Sequence, residues 1–217
     1  MGLSLDRLPA DIADREPDIS GRLTLSREAQ DLLFRSARTA NTFTDEPVSD
    51  EQVRAIYDLA KWAPTSMNNQ PLRIVLVRSA QARARLVETM SDGNKTKTAA
   101  APLVAVLAAD HAFHEEFHKT FPHFPGARDL FAGNDALREH TADLNATLQV
   151  AYFILAVRAA GLAAGPMTGY DAIALNESFF PDGEHKVVAV LNIGKPGQNA
   201  WMGRLPRLDF DEVVSTV

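Results

Sequence analysis

Hydrophobic positions recur along this chain in a few distinct rhythms, and these predict its elements. From Arg27 to about Arg38, the residues Ala29, Leu32, Leu33 and Ser36 fall on one helical face, with Ser26 placed to cap the start. Ser49 and Gln52 form a capping-box pair that opens a second helix, with Val53, Ile56, Tyr57 and Ala60 as its buried stripe and Pro64 as its end. Three short apolar runs predict buried strands: Arg73 to Arg78, Pro102 to Ala109 and Lys186 to Ile193. A helix from Ser79 to about Met90 separates the first two. The longest periodic stretch, Asp135 to Ala160, would span roughly 39 Å as a helix. Leu137, His140, Leu144, Leu148, Ala151 and Leu155 share a stripe of it. Beyond Val150 it is apolar on every side, which predicts the buried centre of the fold. Gly161 is its expected C-cap.

Residues 111–134, rich in Phe and His, predict one short helix and then loop. Gly161, Gly165 and Gly169 are spaced by four, but Pro166 excludes a helix there, so the spacing predicts a loop. Residues 1–25, with Pro9 and Pro17 and little periodicity, read as an arm ahead of one domain over 26–217. The last part of that domain, about 195–217, carries Trp201, Leu205, Leu208, Phe210, Val213 and Val214 after the final clear strand. It needs a surface to cover those side chains, and a partner's sheet edge would supply one.

Composition narrows the function. The chain has 217 residues, 46% hydrophobic and 23% charged, as a globular protein should. A net charge of −6 argues against a nucleic-acid reader. The lack of cysteine excludes disulfides, thiol catalysis and Cys-ligated metals. The longest apolar run, Val150 to Val157, falls far short of the ~20 residues of a spanning helix. The opening residues reach Asp11, Asp14 and Glu16 without an apolar core, which predicts no signal peptide, no membrane partner and a cytoplasmic location.

Several segments carry chemistry. His114-Glu115-Glu116-Phe117-His118 matches H-E-x-x-H, which on a helix would set two imidazoles one turn apart with Glu115 as base on a zinc-bound water. A third ligand is not evident, since Phe121 and Phe124 stand where the longer motif needs Gly and His. The plain alternative is an amphipathic helix turning Phe113, Phe117 and Phe121 inward, and no metal site is assigned. No G-x-G occurs, so there is no Rossmann phosphate turn. The helix-to-strand turn Ala63-Pro-Thr-Ser-Met-Asn-Asn-Gln-Pro71 is dense in hydroxyls and amides, which together offer donors and acceptors to a ring with an imide edge. Gly165-Pro-Met-Thr-Gly-Tyr-Asp171, Arg204-Leu-Pro-Arg207 and Arg35-Ser-Ala-Arg38 are further candidates.

Together, Ala37-Arg-Thr-Ala-Asn41, Lys61-Trp-Ala-Pro-Thr-Ser-Met-Asn68, Gly93-Asn94, Gly165-Pro-Met-Thr-Gly169 and Ala200 to Arg207 resemble the FMN-dependent nitroreductase family, from about Ser26 to the C-terminus. They are most similar to the branch that includes malonic semialdehyde reductase. The resemblance implies an α+β fold, a central mainly antiparallel sheet flanked by helices, with the C-terminal tail exchanged in a homodimer. It implies bound FMN, NADH or NADPH as reductant, and a small acceptor such as a nitroaromatic, a quinone or an aldehyde of the malonic semialdehyde type. It also implies that flavin N5 carries the chemistry, so that no side chain is named as catalytic.

The family's sites carry over by position. Ser36 and Arg38 match a basic-Ser-basic cluster on the flavin phosphate and ribityl chain, with Thr39 and Asn41 beside it. The cluster's first Arg falls at Phe34, so that contact is missing or comes from Arg35. Ser66, Met67, Asn68 and Gln70 match the loop along the flavin. Asn94 and Lys97 match an Asn-x-x-Lys pair at the pyrimidine edge. Pro166, Met167, Thr168 and Gly169 match the loop facing N5, where commoner members carry Glu in place of Thr168. Arg204 matches a second phosphate-binding Arg. In the shared dimer site, Ser66 and Asn68 would come from one chain and Arg38, Lys97 and Arg204 from the other. A zinc hydrolase and a flavin-binding protein without turnover are the alternatives.

Overall fold

The computed structural model describes residues 22–217. Most of the expected arm lies outside them. At the centre is a four-stranded antiparallel sheet in the order β1 (Leu72–Val77), β2 (Leu103–Asp110), β4 (His185–Gly194), β3 (Ala163–Met167). Leu72 lies opposite Ala109, Leu103 opposite Ile193, and Ala163 opposite Gly194. All eight residues of β2 are buried, because both of its faces are covered. Leu103, Ala105 and Leu107 join one core, and Val104, Val106 and Ala108 the other, as strand alternation requires.

The first core is roofed by α2 (Asp50–Ala60) and α7 (Asp135–Ala159). The second is closed by α3 (Ala80–Thr89) and α8 (Ala172–Phe179), with α4 (Asp92–Ala100) beside them. The Ser49–Gln52 capping box forms in both directions, and Ser79 caps α3. Among the described residues no helix is long and apolar enough to cross a membrane.

Several expectations change. The first helix is only α1 (Arg27–Gln30), continued by a π-type turn over Asp31–Arg35 in which the Ser36 N–H reaches Asp31 C=O. That wider turn ends the helix early and leaves Leu32 and Phe34 exposed. Helix α2 ends at Ala60, and Ala63, the residue ahead of Pro64, already lies outside it, as the steric demand of a following proline favours. Tyr57, expected in its buried stripe, faces solvent. β1 is a half-buried edge strand. The polar helix α4 has no apolar stripe to announce it. β3 forms where a loop was expected, because an edge strand tolerates Pro166. Residues 111–134 form two 3₁₀ turns (113–116 and 125–127) and two single-turn helices, α5 (Phe117–Thr120) and α6 (Asp129–Ala132). Phe113 and Phe117 are buried, Phe121 partly so, with Phe113 edge-on to Phe131 at 5.1 Å between ring centroids.

The largest correction concerns α7. Its core-facing side is Ala142, Asn145, Ala146, Gln149, Val150, Phe153, Ala156 and Val157. The predicted leucine stripe points the other way, with Leu144 55% exposed and Leu148 45%. Small side chains let the helix lie close on the sheet, so the leucines stay outside, uncovered within the chain. The tail after β4 is uncovered too: Leu205, Leu208 and Phe210 are exposed, the last opening the short helix α9 (Phe210–Val213).

Candidate functional site

The sequence-predicted residues gather at two places. One is the β3 edge. The segment 38–44 threads between β3 and the tail, with Ala40 N–H donating to Ala164 C=O (3.3 Å), Asn41 N–H to Ala200 C=O (3.0 Å) and the Thr42 hydroxyl to Gln198 C=O (2.8 Å). Gly165 permits this approach, since a Cβ there would lie 2.8 Å from the Ala40 carbonyl oxygen. Arg38 Nη1 donates to Met202 C=O (2.9 Å), and Arg204 donates to Arg35 C=O. A cavity of about 200 Å³ opens here, lined by Ser36, Arg38, Ala163 and Trp201 among others. Thr39 is exposed, and its carbonyl accepts a long bond from Asn41 Nδ2 (3.5 Å).

The same edge holds the next group. Asn94 on α4 donates from Nδ2 to Gly169 C=O (2.9 Å), and Ser91 N–H reaches the same oxygen (3.1 Å). A Cβ on Gly169 would sit 2.7 Å from that Nδ2. Met167 is buried, its sulfur accepting from Thr98 (3.8 Å) and Asn192 (3.9 Å). Thr168 is exposed and Pro166 half-buried. Lys97 is half-buried. Arg38, Lys97 and Arg204 form no ion pair among the described residues, unlike Arg73, Arg78 and Arg128.

The second place is the β1 edge, three inter-strand spacings or roughly 14 Å across the sheet. Met67, Asn68 and Gln70 have φ of 51°, 51° and 42°, three of the four left-handed non-glycine residues among those described. Such positions cost on the order of 1–3 kcal/mol each, less for Asn. They persist because the surroundings hold them. Ser66 N–H donates to Asn145 Oδ1 (2.7 Å), Asn68 Nδ2 to Thr120 C=O (2.7 Å), and Gln70 Nε2 to Asn68 Oδ1 (2.9 Å). Arg73 joins Gln70 C=O (3.0 Å) to the Asp110 carboxylate (2.5 Å). Leu72 N–H donates to Gln149 Oε1 (2.9 Å).

The structure thus brings Ser36, Arg38, Thr39, Asn41, Asn94, Lys97, Pro166–Gly169 and Arg204 to one edge and leaves Ser66, Met67, Asn68 and Gln70 at the other. Sequence reasoning missed Asn145, Gln149 and Arg73. The available signal was two amides four apart in the otherwise apolar buried face of α7.

The H-E-x-x-H match does not form a ligand set. His114 is buried in a 3₁₀ turn, Glu115 is paired through both oxygens with Arg128 (2.7 Å each), and His118 Nδ1 lies 2.8 Å from Glu115 C=O. The Arg128 hydrogen bonds hold the Glu115 carboxyl below its usual range. No group of three metal-ligating side chains occurs among the described residues.

A family model described as the nitroreductase family matches residues 34–195. A Streptomyces griseus protein provisionally named NADH dehydrogenase/NAD(P)H nitroreductase is 64% identical over 195 residues, covering 90% of this chain and 99% of its own. The crystal structure of a provisionally assigned Exiguobacterium sibiricum nitroreductase in complex with FMN aligns with a TM-score of 0.79 at 18% identity, over 88% of this chain and 98% of that one. A provisionally assigned NAD(P)H:FMN oxidoreductase from Staphylococcus epidermidis aligns with a TM-score of 0.76 at 18% identity, over 90% and 98%. At these identities the two structures show a shared fold.

Proposed function

Because this chain belongs to the nitroreductase family, we propose that it is an FMN-dependent oxidoreductase that takes hydride from NADH or NADPH and delivers it to a small acceptor. The observation that carries this reading is the β3 edge. There, Arg38 and Arg204 donate to backbone carbonyls and pair with no carboxylate among the described residues, and Lys97 follows by three residues on α4 the Asn94 that meets Gly169. That donor set fits FMN: guanidinium groups for a phosphate, an ammonium and an amide for a ring edge, and a backbone turn at Gly169 held open by Asn94.

When bound, FMN supplies hydride transfer at its N5. The chain's own residues bind and orient. Arg38 and Arg204 would hold the phosphate through charge-assisted hydrogen bonds, with Ser36, Thr39 and Asn41 beside them. Lys97 would stabilise negative charge on the pyrimidine side, and Asn94 holds the Gly169 carbonyl at the end of the Pro166–Gly169 segment. No side chain acts as nucleophile.

The two edges are too far apart to serve one ring within a chain. A homodimer with shared sites would let Ser66, Met67, Asn68 and Gln70 of one protomer complete the β3 edge of its partner. The uncovered leucines of α7 and the uncovered tail favour such an assembly. So does the groove of about 560 Å³ along β1, lined by Val53, Tyr57, Leu72, Ile74 and Phe153 among others. The acceptor we propose is a nitroaromatic, a quinone or a small aldehyde of the malonic semialdehyde type. Thr168 leaves the site less negative than Glu would, which suits an anionic aldehyde.

The test is the visible spectrum of the purified protein, anaerobic titration with NADH and NADPH, then stopped-flow reoxidation by a panel of acceptors. Bound flavin that bleaches and is reoxidised supports the reading. A colourless protein with stoichiometric zinc would overturn it, and flavin that neither nucleotide bleaches would indicate binding without turnover.

A further inference from the structure

We infer that Asn145 and Gln149 are positioning residues for the β1-edge half of the site: two buried amide oxygens, one turn apart on α7, anchor the chain at Ser66 and Leu72, on either side of the left-handed Met67, Asn68 and Gln70. The inference rests on the flavin reading above. Asn145 is 3% exposed and Gln149 7%. A buried amide is a costly choice where its neighbours Ala142, Ala146, Val150 and Phe153 show that apolar groups pack well. Each amide meets a specific need. Asn145 Oδ1 takes the Ser66 N–H at the start of the segment, and Gln149 Oε1 takes the Leu72 N–H just past its end. Both N–H groups would otherwise lack a protein partner. Asn145 Nδ2 donates to Thr141 C=O (2.8 Å), which fixes the amide so that its oxygen faces the loop.

Between the two anchors lie Met67, Asn68 and Gln70 with positive φ. Without an anchor, these residues relax toward ordinary backbone angles and the side chains of Ser66 and Asn68 leave their places. The spacing of four on a helix matches one rigid face to both ends of the segment. Helix α7 therefore acts as a template for the loop, while its opposite face carries the uncovered leucines.

The experiment compares wild-type holoenzyme with Asn145→Leu, Gln149→Leu, Gln149→Glu and the control Ala156→Gly, which loosens α7 away from the loop. FMN affinity is read by fluorescence, thermal stability by melting, and kcat and KM with a fixed acceptor. The two Leu variants should bind FMN at least about tenfold more weakly, while Ala156→Gly, with a similar loss of melting temperature, stays within about twofold. Gln149→Glu keeps an acceptor oxygen and should bind more tightly than Gln149→Leu. Equal FMN affinity in the Leu variants and the control would overturn the inference, and so would equal weakening by Gln149→Glu and Gln149→Leu. Should Asn145→Leu fail to fold, Gln149→Leu carries the same comparison. A wild-type protein that takes up no FMN would instead bring down the flavin reading and this inference with it.

Discussion

The two edges of the sheet reach a defined geometry by different means. At the β3 edge the chain is held mainly by main-chain contacts: segment 38–44 bonds to Ala164, Lys195 and Ala200, and Gly165 and Gly169 remove the side chains that would keep the strands and loops apart. Arg38, Lys97 and Arg204 there have no ion pair among the described residues. At the β1 edge the backbone itself is strained, and groups from three other elements restrain it: Asn145 and Gln149 of α7, Arg73 of β1 and the Thr120 carbonyl of α5. One edge is a cradle whose cations lack carboxylate partners among the described residues. The other is a bent loop kept in place from behind. The cradle offers cations and the loop offers amides, and the shared site proposed above would draw on both.

Arg204→Ala should break the cradle most strongly. Losing one charge-assisted phosphate contact costs about 2–5 kcal/mol, so flavin should leave this variant on dialysis, and full retention would refute the placement of the phosphate. The sharper form mixes that chain with a Ser66→Ala, Asn68→Ala chain. Heterodimers should regain one sound site per pair if the edges serve each other across an interface, and activity no higher than the inactive parents would show that they do not. Next in size is Gly165→Ala. The new Cβ would meet the Ala40 carbonyl, a backbone atom, so overpacking of about 1–3 kcal/mol is expected in urea unfolding. Gly169→Ala meets chiefly the end of the Asn94 side chain and should cost less stability.

The cradle was more legible in the sequence than the loop. Its glycines, its arginines and the Asn94–Lys97 pair stand at spacings that could be matched as motifs. The strand over Ala163–Met167 was hidden, because Pro166 and the glycines around it argue for a loop until edge position is known. For the loop, Ser66, Asn68 and Gln70 could be singled out by composition. Their positive φ values depend on anchors 79 and 77 residues away in the chain, and no local pattern carries that. The leucine stripe of α7 shows the same limit. Periodicity revealed a face, and packing against the sheet chose the other one, since Ala142, Ala146 and Ala156 fit closer than Leu144 and Leu148 could.

A charge added to the cradle tests it from the substrate side. Thr168 is exposed beside Gly169. Thr168→Glu puts a carboxylate there, worth about 1 kcal/mol against a unit negative charge at 4 Å in water. The KM for an anionic aldehyde should rise several-fold more than that for a neutral quinone, and high salt should shrink the gap. Equal changes for both acceptors would remove Thr168 from any account of specificity.

The smallest effect expected is one of pH, and it should fall on the loop's side of the molecule. His114 packs against Phe113 in the segment whose Thr120 carbonyl holds Asn68. It is 7% exposed, and burial pushes its pKa down from the usual histidine value near 6.5. As pH falls, the unfolded chain therefore takes up a proton at His114 before the folded one does. Where the unfolded state binds more protons, stability rises with pH. This contribution is fully present above about 6.5, and it is lost as pH falls from there through the lowered folded value. Unfolding in urea should show the loss between neutral and mildly acid pH. His114→Gln, which cannot titrate, should flatten that part of the profile while leaving FMN affinity at neutral pH unchanged. An identical slope in both proteins would assign the acid sensitivity to other groups.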